Sequence, residues 1–362
     1  MLDSINKQHH DPSSPSGFRF DDADLTFPLA TEQDFWRFRQ KDALDTSRYA
    51  GSLAERALET GHLEPFSLKN KLLGDRLSEA LRKKVDGNSL SAVIQAIPVL
   101  HLAEPEFNAV ASTDYDLLGC PYIRHYYTTM RVLQLLAHVL VSNTMIFVPA
   151  RNGILLKEPK AEYFFDRLTP DTPVLTTITT ILYYLEKKTG TFPTTALPAF
   201  SLNTTEDEWP VKRIGATVSM GAKMMLWLHE IGHHLLDHFN RDSPQLAQET
   251  EADVFAISCL LAAVEDRPKY HLIGAEIPFL LLPMFSVPNS NYPSPADRAA
   301  LVKKTREAAF PDLAPVLQYP LIPLYVALSI WEIYLSSTRL KTEIIYPLIV
   351  QLTEMKAFAG SA

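Results

Sequence analysis

The residues with the most chemistry to offer lie between Met220 and Leu261, in MGAKMMLWLHEIGHHLLDHFNRDSPQLAQETEADVFAISCLL. Within this stretch His229-Glu230-Ile231-Gly232-His233 spells H-E-x-x-H. Two histidines four apart on a helix project from the same face, one turn apart, so both can aim an imidazole nitrogen at one ion. Zn²⁺ accepts such nitrogens at about 2.0–2.1 Å in tetrahedral geometry. Glu230, beside the first histidine, is then placed to take a proton from a metal-bound water. The chemistry this arrangement suits is hydrolysis.

The segment around the motif is apolar nearly all round (Met224, Met225, Leu226, Trp227, Leu228, Ile231, Leu235, Leu236), which predicts a buried helix. Imidazole and carboxylate groups on such a helix are costly unless paired or bound to metal. A hydrolytic zinc site needs a third protein ligand and leaves one position for water. The first helix is expected to stop near Asn240, with Ser243-Pro244 as an N-cap followed by proline at the first position of a second helix. That second helix carries Glu249, Glu251 and Asp253. At about 100° per residue Glu249 and Glu251 lie about 200° apart, so only one can face the histidine pair. Glu249 shares its face with Ala252, Asp253 and Ala256, whose small alanines permit close approach of the two helices. Glu249 is therefore the expected third ligand, with Asp253 orienting a ligand histidine from behind and Glu251 as the fallback.

His229–His233 followed by Glu249-Thr250-Glu251-Ala252-Asp253 resembles the H-E-x-x-H … E-x-x-A-D signature of gluzincin metallopeptidases. The short gap is most similar to two intracellular groups, the Lit-type phage-exclusion peptidases and the regulatory peptidases of the ImmA/IrrE kind. A looser echo follows in Asn291-Tyr292-Pro293-Ser294-Pro295-Ala296-Asp297-Arg298, which is similar to an H-P-x-x-x-x-R element but has Tyr292 where histidine is usual. The resemblance implies a single-zinc endopeptidase acting on a protein substrate inside the cell. It also implies that substrate lies along an edge strand, to which Phe107–Ala111 is similar. A donor for the developing oxyanion is needed besides the metal; Tyr292 is the candidate, with His271 and Arg298 as competitors.

The remaining candidates read more plainly. His234 and His238 also stand four apart, on a face different from that of the motif pair, and are expected to bond locally. Asp237 is either a partner of a ligand or a solvated carboxylate near the helix end. Cys259 sits in an apolar run and reads as core, and Cys120 has no obvious base beside it.

These groups must be held by a scaffold of 362 residues, 46% hydrophobic and 21% charged, ordinary for a packed globular chain. The reading is α+β: a zincin-like core of a small mixed sheet, an active-site helix and a ligand-bearing second helix, with helical flanks at both ends. Strands are expected at 107–111, 145–149 and 154–157, and helices at 77–90, 126–140 and 175–187, the last being Thr-rich enough to be a strand instead. The expected divisions are a flexible tail over 1–20, a helical region over 21–100, a zincin-like domain over 101–309 and a helical region over 310–362.

Several classes are excluded on composition. A net charge of −8 argues against nucleic acid, which calls for a basic stripe. Two cysteines exclude a disulfide framework and suit a reducing, cytoplasmic setting. Met1–Gly17 lacks the apolar run of a secretory signal, and Glu276 and Glu332 interrupt the two longest apolar stretches, so no membrane span is expected. With 13 glycines and neither G-x-G-x-x-G nor G-x-x-x-x-G-K-[ST], no nucleotide cradle is expected. Two alternatives stand beside the peptidase: a non-catalytic regulator built on a zincin scaffold, which the extensive helical flanks suggest, and a helical interaction protein in which the motif is accidental.

Overall fold

In the computed structural model the described residues are 32–63, 89–102, 107–112, 122–144, 146–150, 153–157, 209–264, 267–282, 291–313, 321 and 324. Helix α4 (Trp209–Leu235) is their central element. Its apolar residues fall on every side, and Val218, Ala222, Met224, Met225, Trp227, Leu228 and Ile231 are all fully buried. A helix apolar all round must be enclosed, and α4 is enclosed by α3 (Tyr127–Thr144), α5 (Gln245–Leu261) and α6 (Arg267–Leu281).

The approach of α6 depends on two glycines. A Cβ on Gly274 would collide with the Val218 carbonyl oxygen, and one on Gly221 with the His271 backbone, so the two helices touch backbone to backbone there. Against α6 packs α7 (Pro295–Ala309), which starts on a Ser294 cap accepting from the Asp297 amide at 3.1 Å. Helices α1 (Glu32–Glu59) and α2 (Leu90–Ala96) pack together, and α1 also rests on α5.

A three-stranded sheet, β1 (Val99–Leu102), β2 (Ala109–Ser112) and β3 (Tyr122–Tyr126), lies against these helices. β3 is central, parallel to β1 and antiparallel to β2, with Leu100 opposite Arg124 and Ala111 opposite Ile123. This leaves β2 at the edge, packed against α4. A separate antiparallel pair joins β4 (Ile146–Ala150) to β5 (Gly153–Lys157). The described residues are thus mostly helical α+β with a small mixed sheet, as expected.

Some boundaries differ from the sequence reading. β2 begins and ends later than 107–111, and β4 runs to Ala150 because its antiparallel register with β5 closes at Ala150–Gly153. β1 and β3 were not foreseen as strands. Pro244 is the residue before the first helical turn of α5, not its first member, and no side chain caps that end. The expected helices at 77–90 and 175–187 lie outside the described residues, apart from Ser89 and Leu90, which cap and begin α2; so do Cys120, the tail over 1–20 and nearly all of the chain after 313. No helix among the described residues is long and apolar enough to cross a membrane.

Candidate metal centre

His229 and His233 occupy successive turns of α4, and Glu249 stands on the second turn of α5. The helices can close because Gly232 faces Ala252 and Phe255: a Cβ on Gly232 would lie 3.2 Å from the Ala252 Cα. Across this contact Glu249 reaches both histidines. Its carboxylate oxygens lie 3.2 Å from His229 Nε2 and 3.6 Å from His233 Nε2, and the two Nε2 atoms are 3.1 Å apart. One donor atom from each of the three residues falls within 4.8 Å of the others.

The outer nitrogens are held from behind. His229 Nδ1 lies 2.8 Å from Asp253 Oδ1. Asp253 in turn accepts from Arg298 through Nε and Nη2, each at 2.7 Å, and the guanidinium rests over the Phe279 ring. A bidentate pair of this kind fixes both partners in one orientation. His233 Nδ1 faces His238 Nδ1 at 2.9 Å.

Burial and charge act oppositely on the two histidines. Burial and the Arg298 charge both disfavour a proton on His229, but the carboxylates of Asp253 and Glu249 outweigh them and push its pKa up to about 9. His233, with burial and the charge on His229 both against it, falls to about 3. Burial also works against the charge on Glu249, yet its hydrogen bond and charge attraction to His229 hold the carboxyl below its usual range. Two imidazole nitrogens and a carboxylate oxygen within reach of one another form a group that can hold a metal ion.

Glu230, buried, reaches the sheet from α4. Its Oε2 accepts from the Ala111 amide of β2 at 2.6 Å. Burial raises its pKa to about 7, against the opposing pull of the His229 charge and the Ala111 hydrogen bond. Just before the strand, Asn108 is anchored to Thr129 of α3, whose hydroxyl accepts from the Asn108 amide at 2.7 Å.

A family model described as Peptidase U49 matches residues 193–306. This stretch is similar to Peptidase U49. The family is one of peptidases, hydrolases acting on peptide bonds, and is the Lit-type of the two groups the signature resembles. No curated protein and no solved structure gives a significant match. The Peptidase U49 match includes His229, Glu230, His233, Glu249, Asp253, Tyr292 and Arg298, and leaves the sheet outside.

The other candidates within the Peptidase U49 stretch are placed as follows. Glu251 points away from the histidine pair and binds Arg241 at 2.6 Å. Tyr292 is exposed, and its hydroxyl accepts from the Gln245 side-chain amide, four residues before Glu249. Arg298 pairs with Asp253, and its Nη2 also lies 3.2 Å from His229 Nδ1. His271 is removed from any oxyanion: its Nδ1 bonds the Arg267 carbonyl at 2.8 Å and its Nε2 meets the Tyr49 hydroxyl at 3.0 Å. His234 bonds the Tyr122 carbonyl of β3 at 3.1 Å, a long-range tie and not the local bond expected. Asp237 adopts a left-handed φ of 59° and accepts from the Asn240 amide at 2.7 Å. Cys259 is fully buried, and burial raises its thiol pKa, so it is core.

Two contacts escaped the sequence reading. The Ala111 amide that meets Glu230 is a backbone group and leaves no signature in residue types. His238 was placed on another face by extending the helix past its real end; the signal that could have found it is Asp237, a residue type tolerant of the left-handed conformation that ends a helix.

Proposed function

We propose that this chain is a zinc-dependent endopeptidase that cleaves a protein substrate, with His229, His233 and Glu249 holding the ion. The observation that carries the reading is the convergence of these three donors across the α4–α5 contact. When bound there, zinc supplies a Lewis acid and an acidified water. Glu230 would accept a proton from the attacking water as its oxygen bonds to the scissile carbonyl carbon, then deliver that proton to the amine nitrogen as the C–N bond breaks. Asp253 and Arg298 would keep His229 turned so that Nε2 faces the ion.

Substrate would lie beside β2, an edge strand, whose Ala111 amide already holds the base. Backbone pairing along such an edge gives affinity with little sequence preference. Tyr292 is the proposed oxyanion donor; reaching the site requires its hydroxyl to leave Gln245. The paucity of cysteine and the negative net charge suit a cytoplasmic enzyme that does not act on nucleic acid.

The experiment is zinc content per chain, on protein purified without a histidine tag, followed by Glu230→Gln. One zinc per chain is expected, retained in the variant while cleavage is lost. No zinc after add-back would sink the site, and cleavage by Glu230→Gln would sink the role of the base. A cellular effect that survives Glu230→Gln with zinc still bound would favour a non-catalytic regulator instead.

A further inference from the structure

We infer that His238, Glu251 and Arg241 form a positioning relay that presents His233 to the metal, an inference that rests on the zinc reading of the site. An uninterrupted helix would carry residue 238 about 140° round from residue 233, out of reach. Instead α4 ends at Leu235, Asp237 takes a left-handed conformation, and a short 3-10 turn over His238–Asn240 folds back. The turn is tied to α5 by Gln248, whose amide donates to the His238 carbonyl at 3.1 Å and to the Ser243 carbonyl at 3.1 Å. His238 is thereby buried against His233, with the rings 4.9 Å apart and nearly perpendicular.

The hydrogen-bond order follows from what each atom can do. Glu251 Oε2 can only accept, and it lies 3.3 Å from His238 Nε2, so that nitrogen carries the proton. His238 Nδ1 is then the acceptor, and the partner it meets at 2.9 Å, His233 Nδ1, must donate. With its proton fixed on Nδ1, His233 has a lone pair on Nε2, the atom that faces Glu249 and His229. Arg241 holds the far end, donating to Glu251 at 2.6 Å and 3.4 Å. Each motif histidine thus has an acceptor behind it backed by an arginine: Asp253 and Arg298 for His229, His238 with Glu251 and Arg241 for His233.

Outer partners of this type commonly set metal affinity by roughly 10–100-fold. The test is a zinc competition titration against a chromophoric chelator on the full chain, with thermal unfolding of each apoprotein alongside. Glu251→Gln, at a half-exposed position, should weaken zinc by about tenfold or more while apoprotein unfolding stays near wild type. His238→Leu should weaken it further. His238→Asn, whose Oδ1 takes the place of Nδ1, should recover part of the loss, which a purely structural role would not produce. Asp45→Asn, remote on α1, should change nothing. Unaltered zinc affinity in both Glu251→Gln and His238→Leu overturns the relay alone. A wild-type chain that binds no zinc overturns the reading of the site and the relay with it.

Discussion

Gly232 of the H-E-x-x-H motif and Ala252 of α5 meet so closely that a Cβ on the glycine would stand 3.2 Å from the alanine Cα. The glycine between the two motif histidines is therefore what admits the helix bearing Glu249. Spacing inside the motif and composition of α5 act on one geometric variable, the distance between two helix axes.

Gly232→Val should open that distance. The added methyls would meet the Ala252 backbone and the Phe255 ring, both carried by α5, and push that helix away from α4. Overpacking of this kind costs on the order of 1–3 kcal/mol. Zinc binding should fall more steeply than thermal stability, because Glu249 is carried by the helix that moves. Gly232→Ala should be milder, since alanine recovers about 1 kcal/mol of helix propensity. Chelator competition with thermal melts on both variants checks the order; equal zinc affinity in Gly232→Val and wild type would refute it.

Asp253→Asn should affect both partners of the carboxylate. His229 loses its anionic acceptor, and the buried Arg298 guanidinium loses its bidentate partner. Removing one member of a buried pair typically costs about 3–5 kcal/mol. The variant should show lower apoprotein stability and weaker zinc binding together. Arg298→Met, which keeps contact with Phe279 and leaves Asp253 on His229, should retain more zinc affinity than Asp253→Asn. The reverse ranking would mean that the arginine, and not the carboxylate, sets the histidine.

Much of this site was legible in the sequence, for a physical reason. Helical periodicity is local, so His229 with His233, and Glu249 with Asp253, could be placed on their faces from spacing alone. The sheet was harder. β3 runs into α3 without a turn residue between Tyr126 and Tyr127, and β1 is four residues long after Ile97-Pro98, so neither offers the punctuation that marks a strand. His238 was assigned by its angle on a helix that in fact ends at Leu235, and its true neighbour depends on the backbone of Asp237. His234 reaches Tyr122 in β3, a pairing that only the assembled sheet creates.

His271 gives the fold an acid-sensitive point away from the metal centre. Burial lowers its pKa to about 4, helped by the Arg267 charge and opposed by the hydrogen bond to the Arg267 carbonyl. The groups that face it are the Tyr49 hydroxyl of α1 and Arg267 of its own helix. In the unfolded chain the same histidine titrates near the ordinary value of about 6.5. Between the two values the unfolded state binds the extra proton, so stability is intact above about pH 6.5 and declines as pH falls towards 4. The loss should reach roughly 3 kcal/mol. Urea unfolding at pH 7, 6, 5 and 4 would show a shallower decline in His271→Gln than in wild type. Parallel pH profiles would exclude His271 as the source.

Glu276 and Arg306 pose the last question, which is whether an ion pair in the core stabilises this protein. Glu276 interrupts the apolar run of α6, and its carboxylate accepts from Arg306 of α7 at 2.6 Å, with both side chains essentially inaccessible. Among the described residues, Arg306 Nε and Nη2 meet no hydrogen-bond partner, so these residues leave part of the guanidinium's desolvation uncompensated. Glu276→Gln should therefore be severe, about 3–5 kcal/mol, because it strands a buried cation. Arg306→Met strands a buried carboxylate and should be destabilising for the same reason. The double variant Glu276→Met/Arg306→Met removes both charges and should recover most of the stability lost in either single change. A double variant no more stable than Glu276→Gln would show that the pair contributes net stability and does more than fix the α6–α7 register.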